Sequence, residues 1–192
     1  MNKTRLEAFS DAVIAIIMTI MVLELKVPHG ADVEALKPLV PVFLAYILSF
    51  VYLGIYWNNH HHMLQATRTV NGKVLWANLL LLFWLSLVPF ATGWMGENHF
   101  DPLPTAVYGI VLLMCAVSYT MLQMKLTKHS KGENSLLAEA IGSDVKGKIS
   151  LALYVVAIGL AFVQQNISHA IYVIVALIWI IPDRRIERRI SE

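Results

Sequence analysis

Residues 5–25 read RLEAFSDAVIAIIMTIMVLEL, a stretch in which a short polar opening leads into a long apolar run. The run approaches the roughly 20 residues that a helix needs to cross the hydrocarbon core of a bilayer. It has no small-residue cleavage site and is followed by Glu24 and Lys26. We therefore expect a retained transmembrane helix rather than a secretory signal.

The composition extends this prediction to the whole chain. Of the 192 residues, 57% are hydrophobic and 15% are charged. In soluble domains about a quarter of all residues are charged. The mean hydropathy is +0.62. The net charge is only +2 and no basic stripe is present, so no nucleic-acid partner is expected. The composition predicts an all-α membrane protein with one domain over residues 1–192.

Six apolar stretches are predicted to span the membrane, over residues 9–27, 36–57, 74–95, 103–124, 149–164 and 167–182. The last two are short for spanning helices, so five spans remain the competing count. Six spans place thirteen of the fifteen lysines and arginines on one side, and only Lys26 and Lys37 on the other. By the positive-inside rule, both termini are then cytoplasmic in a multi-pass protein of the plasma membrane.

Polar residues at the cytoplasmic ends of the spans are the first candidates for a functional site, since ionisable groups in membranes are rare. Ser10 and Asp11 open the first span, where either could also simply cap the helix. The second span ends on the same face with WNNHHHM at residues 57–63. Asn78 begins the third span nearby, so a hydrogen-bonded network of these groups is predicted.

The three consecutive histidines do not predict a metal site. Neighbouring residues on a helix point about 100° apart, so three in a row cannot close on one ion. We expect no tightly bound metal and a hydrogen-bonding role for one or two of the imidazoles. The chain has no TVGYG-like filter, no HExxH motif, and no acidic residue in the cores of spans two to six. Three functional classes are considered: a channel, a secondary carrier, including a proton-coupled one, and a metal- or cofactor-binding membrane enzyme.

Three motifs resemble those of the transmembrane protein 175 family, which comprises lysosomal potassium channels and their prokaryotic relatives. The first is R-x-x-x-F-S-D, formed by Arg5, Phe9, Ser10 and Asp11. The second is W-x-x-H-H, formed by Trp57, His60 and His61. The third is N-x7-S-L-x-P-F-x-T, which starts at Asn78. Chain length and span count agree with the family, so the resemblance covers essentially the whole chain.

The resemblance implies a homotetramer of single six-helix repeats, without a re-entrant filter loop, in which the first helix lines a central pore. It implies that large apolar side chains form the constriction, with the principal ring five residues past the motif aspartate, at Ile16. The next pore-facing positions would be Thr19 or Ile20, and then Leu23. Ile16, Ile20 and Leu23 do fall on one helical stripe. Because the span is apolar all round, however, periodicity alone cannot select that stripe.

The expected function is that of a potassium-selective or weakly selective cation channel with a hydrophobic neck that gates by dewetting. The protein is expected to be no enzyme and to hold no cofactor beyond permeant potassium. Its partners would be other copies of itself, the lipid bilayer and monovalent cations. A set of polar and aromatic residues is predicted to brace the first helix at the cytoplasmic face: Arg5, Phe9, Ser10, Asp11, Trp57, His60, His61 and Asn78. A secondary transporter is the alternative.

Overall fold

The computed structural model describes residues 3–67, 69–130 and 144–180. Within these ranges the chain forms seven α-helices, which are α1 (Lys3–Ile20), α2 (Val40–Gln65), α3 (Gly72–Ser86), α4 (Val88–Glu97), α5 (Pro102–Ser130), α6 (Val145–Leu160) and α7 (Gln165–Ile180). A 3₁₀ helix at Met21–Glu24 continues α1, and another at Glu34–Leu39 leads into α2. Since α3 and α4 are two halves of one segment, the described chain has six helical segments. The predicted all-α, six-helix class is confirmed.

Four of these segments are long and apolar enough to cross a membrane, namely Lys3–Glu24, Glu34–Gln65, Gly72–Glu97 and Pro102–His129. Helices α6 and α7 have 16 residues each. At 1.5 Å per residue each is about 24 Å long, short of the roughly 30 Å hydrocarbon core. They pack against each other and against α5, and α7 also contacts α2. Part of the predicted sixth span and several of the basic residues counted above lie outside the described residues.

The first two helices extend further toward the predicted cytoplasmic face than the apolar runs indicate. Helix α1 begins at Lys3, so Ser10 lies two turns inside the helix and does not cap it. Helix α2 continues through the histidines to Gln65. The Lys3 ammonium donates to the carbonyls of Leu64 and Gln65, both at 3.1 Å, and so neutralises the negative end of α2. Hydropathy locates the apolar part of a span but not polar turns that continue it.

The third segment is interrupted at a single residue, Leu87, between α3 and α4. Pro89 lies in the first turn of α4, where the lack of a backbone N–H costs no helical hydrogen bond. Ser86 Oγ donates to the carbonyl of Phe83 at 2.7 Å and turns its side chain back onto α3. Beyond this break α4 lies alongside α1, where it forms one wall of the groove described below.

Candidate functional site

Helix α1 has one buried face and one open face. Leu6, Ser10, Ile14, Ile17 and Met21 are buried in the protein core. The opposite face is open, with Ile16 56%, Ile20 42% and Leu23 77% exposed. Packing against α2 and α3 therefore determines which face of α1 is covered and which is open. The sequence alone could not determine this, because the helix is apolar all round. The stripe implied for the pore is the one that the subunit leaves uncovered.

An open groove of about 680 Å³ runs along this uncovered face. Ile16 and Ile20 of α1 form one side of the groove, and Pro89, Phe90 and Trp94 of α4 form the other. The lining is apolar along most of its length. Two carboxylates, those of Glu24 and Glu97, also line it.

The other two residues implied for the pore lie on the same open face of the segment. Thr19 is exposed, and its hydroxyl donates to the carbonyl of Ile16 at 2.9 Å. That bond turns the Thr19 proton back to its own helix, and only the oxygen lone pairs face outward. Leu23 lies in the 3₁₀ turn that ends the segment.

A buried hydrogen-bond chain joins α1, α2 and α3 at their predicted cytoplasmic halves. His60 Nε2 lies 2.7 Å from Asn78 Oδ1. Asn78 Nδ2 donates to Ser10 Oγ at 2.9 Å, and Ser10 Oγ donates to the carbonyl of Leu6 at 2.8 Å. Ser10, His60 and Asn78 are all fully buried.

The direction of this chain follows from its ends. The single proton of Ser10 goes to the Leu6 carbonyl, so Ser10 accepts from the Asn78 amide. Asn78 must then use its carbonyl oxygen toward His60, whose Nε2 carries the proton. The other ring nitrogen, Nδ1, is buried without a hydrogen-bond partner among the described residues. One amide thus fixes the tautomer of the histidine and the rotation of α1.

A second, more exposed set of contacts ties α1 to α2 beside this chain. Trp57 Nε1 donates to Asp11 Oδ1 at 3.1 Å. The Trp57 ring stacks on His61 with centroids 6.0 Å apart. His61 Nε2 lies 2.8 Å from Gln65 Nε2, and its Nδ1 lies 3.4 Å from Glu7 Oε1, which forms an ion pair only when the imidazole is protonated. Asp11 and Trp57 therefore meet directly, while His60 belongs to the buried chain.

Arg5 and Phe9 are not brought into either set of contacts. Arg5 is exposed and makes no hydrogen bond or ion pair with the part of the chain that the structure describes. Phe9 is also exposed. The reason is helical geometry, because Arg5 precedes Ser10 by five residues and so points about 140° away from it. Both side chains are directed away from the subunit core.

The histidine run diverges as the helix turns. Among residues 3–67, 69–130 and 144–180, no group of three or more His, Cys, Asp or Glu side chains could hold a metal ion. His60 points into the core toward α3, and His61 points toward the polar side chains of α1 and α2. The arrangement serves hydrogen bonding between helices.

Sequence reasoning missed a second polar cluster in the other half of the bundle. Ser49 Oγ lies 2.9 Å from Tyr108 Oη and 2.7 Å from Thr92 Oγ1. Tyr52 donates to the carbonyl of Tyr172 at 2.5 Å. All of these side chains are buried. The available signal was a hydroxyl within each of three apolar stretches, at Ser49, Thr92 and Tyr108. Such a group needs a hydrogen-bond partner when it is buried in a bilayer.

Comparisons with known proteins agree with this architecture. A family model described as the endosomal/lysosomal potassium channel TMEM175 matches residues 5–89. A potassium channel from Chryseobacterium sp. (strain P1-3) is 56% identical over 192 residues, covering 100% of both chains. A potassium channel from Streptomyces collinus is 31% identical over 188 residues, covering 92% of this chain and 91% of that one.

A solved structure matches over nearly the whole chain. It is the crystal structure of a lysosomal potassium-selective channel TMEM175 homologue from Chamaesiphon minutus. It aligns with a TM-score of 0.81 and 29% identity, covering 94% of this chain and 97% of that one. Full-length relatives, a matching family model and a matching fold agree, and the chain therefore belongs to the TMEM175 family.

Proposed function

We propose that the protein is a potassium channel in which four copies arrange their α1 helices around a central pore. It would lie in the plasma membrane with both termini in the cytoplasm. The observation that carries the proposal is the uncovered apolar stripe of α1, which faces an open groove while the other face of the helix is packed. Both curated relatives cited above are named potassium channels, which supports the same function.

The proposed neck is a ring of Ile16 side chains. Such a ring offers no oxygen ligands, so an ion must pass it with part of its hydration shell removed and not replaced. Potassium is larger than sodium and holds its water more weakly, so it passes at lower cost. A closed ring excludes water as well, and the pore then gates by dewetting. Selectivity by this mechanism is modest, and exposed Thr19 oxygens near the neck would add to it.

The hydrogen-bonded residues have a supporting role in this proposal. The buried chain through Ser10 and Asn78 fixes the rotation of α1 about its axis, and hence which residues face the pore. The contact between Asp11 and Trp57 fixes the same helix at the membrane surface. Permeant potassium is the only ion or cofactor that the function requires, and the relatives named above are channels rather than enzymes.

A secondary carrier is the alternative, and Asp11 separates the two. A carrier that couples substrate to a proton would need an ionisable group such as this carboxylate, which directly follows Ser10. In the proposed channel, Asp11→Asn keeps an oxygen that can accept from Trp57, so passive potassium flux persists. Saturable exchange that disappears in Asp11→Asn would favour the carrier.

The test of the pore is a planar-bilayer recording of the purified protein under a potassium/sodium gradient. Ile16→Ser should raise the conductance and lower the potassium preference, because a hydroxyl wets the neck. The matched control is Ile47→Ser, since Ile47 is exposed to a similar degree (44%) but lies on α2 away from the groove. Ile47→Ser should leave both quantities at the wild-type values. A wild-type protein that passes no current, or an Ile16→Ser variant that behaves like Ile47→Ser, would refute the pore assignment.

A further inference from the structure

The open stripe of α1 does not end with apolar residues. Ile16, Ile20 and Glu24 are spaced i, i+4 and i+8, and all three line the same groove. Glu24 is the last residue of the 3₁₀ turn that continues α1, so its carboxylate lies at the end of the groove beyond the carboxyl end of α1. In the channel proposed above, on which this inference rests, that position is the mouth of the pore at the carboxyl end of α1.

The Glu24 side chain lies close to its neighbour Gly93 on α4. A Cβ atom added to Gly93 would lie 3.1 Å from Glu24 Oε2 and 3.7 Å from its Cγ. The absence of a side chain at Gly93 therefore lets Glu24 lie flat against α4. This contact places the exposed carboxylate at the junction of α1 and α4, at the edge of the groove.

The two carboxylates of the groove, Glu24 and Glu97, share one nearby positive charge, that of Lys26. Glu97, the other carboxylate of the groove, is paired with Lys26 at 2.6 Å. Glu97 raises the pKa of Lys26 through this hydrogen bond and its charge, and the charge of Glu24 contributes to the same shift. The single charge of Lys26 therefore balances only one of the two carboxylates. Glu34 pairs with Lys37 at 2.7 Å. Glu24 has no ion pair within 4.0 Å among the residues that the structure describes, so one negative charge per subunit is left at this mouth.

We propose that Glu24 is the residue that concentrates cations at this mouth, ahead of the apolar neck. Four copies around the pore axis would form a ring with four net negative charges. Charge of one sign in a low-dielectric entrance raises the local concentration of counter-ions by focusing the field. An apolar ring cannot attract ions by itself, so the supply of ions at its entrance limits the current when salt is dilute.

The test compares single-channel conductance in about 0.05 M and about 1 M KCl. The Debye length exceeds 10 Å in the first solution and is about 3 Å in the second. Glu24→Gln should lower the conductance by about twofold or more in dilute salt, mainly for ions that enter from the Glu24 end, and should match wild type in concentrated salt. Glu24→Asp keeps the charge and should retain most of the wild-type conductance.

A second variant should change the conductance in dilute salt in the opposite direction. Lys26→Gln releases the charge of Glu97 and should raise the conductance in dilute salt, because the mouth then carries two negative charges per subunit. The matched control is Glu34→Gln, which removes a carboxylate that is paired and does not line the groove. It should have the wild-type conductance at both salt concentrations.

Two results would overturn the role of Glu24. One is a Glu24→Gln conductance equal to wild type in dilute salt. The other is a reduction by the same factor at both salt concentrations, which would indicate a change of shape and not of charge. Recordings of Ile16→Ser in the same bilayers separate this inference from the channel itself. If Ile16→Ser changes conductance and selectivity while Glu24→Gln does not, the pore stands and only the focusing role fails.

Discussion

Asn78 accepts a hydrogen bond from His60 on one side of its amide and donates one to Ser10 on the other. A single side chain of α3 thereby links α2 to α1, at a site where all three residues are fully buried. The energetic consequence is large because a buried polar group that loses its partner keeps its full desolvation cost.

Asn78→Leu should therefore destabilise the fold by about 2–4 kcal/mol, since it leaves His60 Nε2 without a partner and removes the hydrogen bond that Ser10 Oγ accepts. Thermal or denaturant unfolding in detergent micelles, followed by circular dichroism, measures the change. Asn58→Leu is the control, because the Asn58 side chain is only half-buried and makes no hydrogen bond with the described residues. It should change the stability by less than about 0.5 kcal/mol. Equal losses in the two variants would contradict the role of the buried chain.

Asp11 and Trp57 should behave as one unit in a double-mutant cycle. Asp11→Ala and Trp57→Phe each remove the same hydrogen bond, so the double variant should lose less stability than the two single losses added together. The expected coupling is about 0.5–1.5 kcal/mol, within the range for single hydrogen bonds. Additive losses would mean that the 3.1 Å contact does not stabilise the protein. The same unfolding assay provides the measurement.

Truncation of two isoleucines that lie two residues apart should have very different effects on stability. Ile14 is fully buried, so Ile14→Ala should cost about 2–5 kcal/mol through lost packing and a residual cavity. Ile16 is more than half exposed, and Ile16→Ala should cost less than about 1 kcal/mol while still changing conductance. A large loss of stability in Ile16→Ala would indicate that this residue is packed between subunits and does not face a pore. Unfolding and bilayer recordings of the same preparations test both statements.

Gly109 on α5 lies directly against Tyr172 of α7. A Cβ atom at this position would lie 2.1 Å from Tyr172 Oη and 2.9 Å from Ile158 Cγ1. Gly109→Ala should destabilise the protein by about 1–3 kcal/mol, because Tyr172 must move and release its bond to the Thr105 carbonyl.

The hydroxyl of Tyr172 is the atom that collides, so removing it should restore part of the loss. In the Gly109→Ala background, Tyr172→Phe should be less destabilising than it is alone. Gly54→Ala is the matched control, since a Cβ there meets nothing within 4 Å. It should leave the stability unchanged or raise it by up to about 1 kcal/mol through higher helix propensity. A Gly109→Ala variant as stable as Gly54→Ala would contradict the close approach.

The sequence was sufficient for the fold class and the number of helical segments, because apolar runs of span length are a strong signal. It also grouped Ser10, Asp11, His60 and Asn78 at one end of the bundle, since topology returns the second span to the start of the first. It could not assign the partners within that group. Whether Asp11 meets a histidine or Trp57 depends on the rotation of each helix, which spacing along one helix does not determine.

Two features required the packed structure. The first is the open face of α1, because Ile14 and Ile16 are chemically identical and differ only in which neighbours cover them. The second is the cluster around Ser49, whose partners Thr92 and Tyr108 lie 43 and 59 residues away. Long-range pairs of this kind leave no local pattern. Arg5 and Phe9 show the opposite case. They belong to the same sequence motif as Ser10 and Asp11 but do not take part in the contacts of those two residues.

The hydrogen-bond chain that starts at His60 has a consequence for proton movement. A Grotthuss relay needs every member to accept a proton on one side and to release one on the other. This chain ends at the main-chain carbonyl of Leu6, which has no proton to pass on, and its direction is set by that end. A proton delivered to His60 therefore has no exit through Asn78 and Ser10. These hydrogen bonds therefore hold the three helices together and do not form a proton path across the membrane.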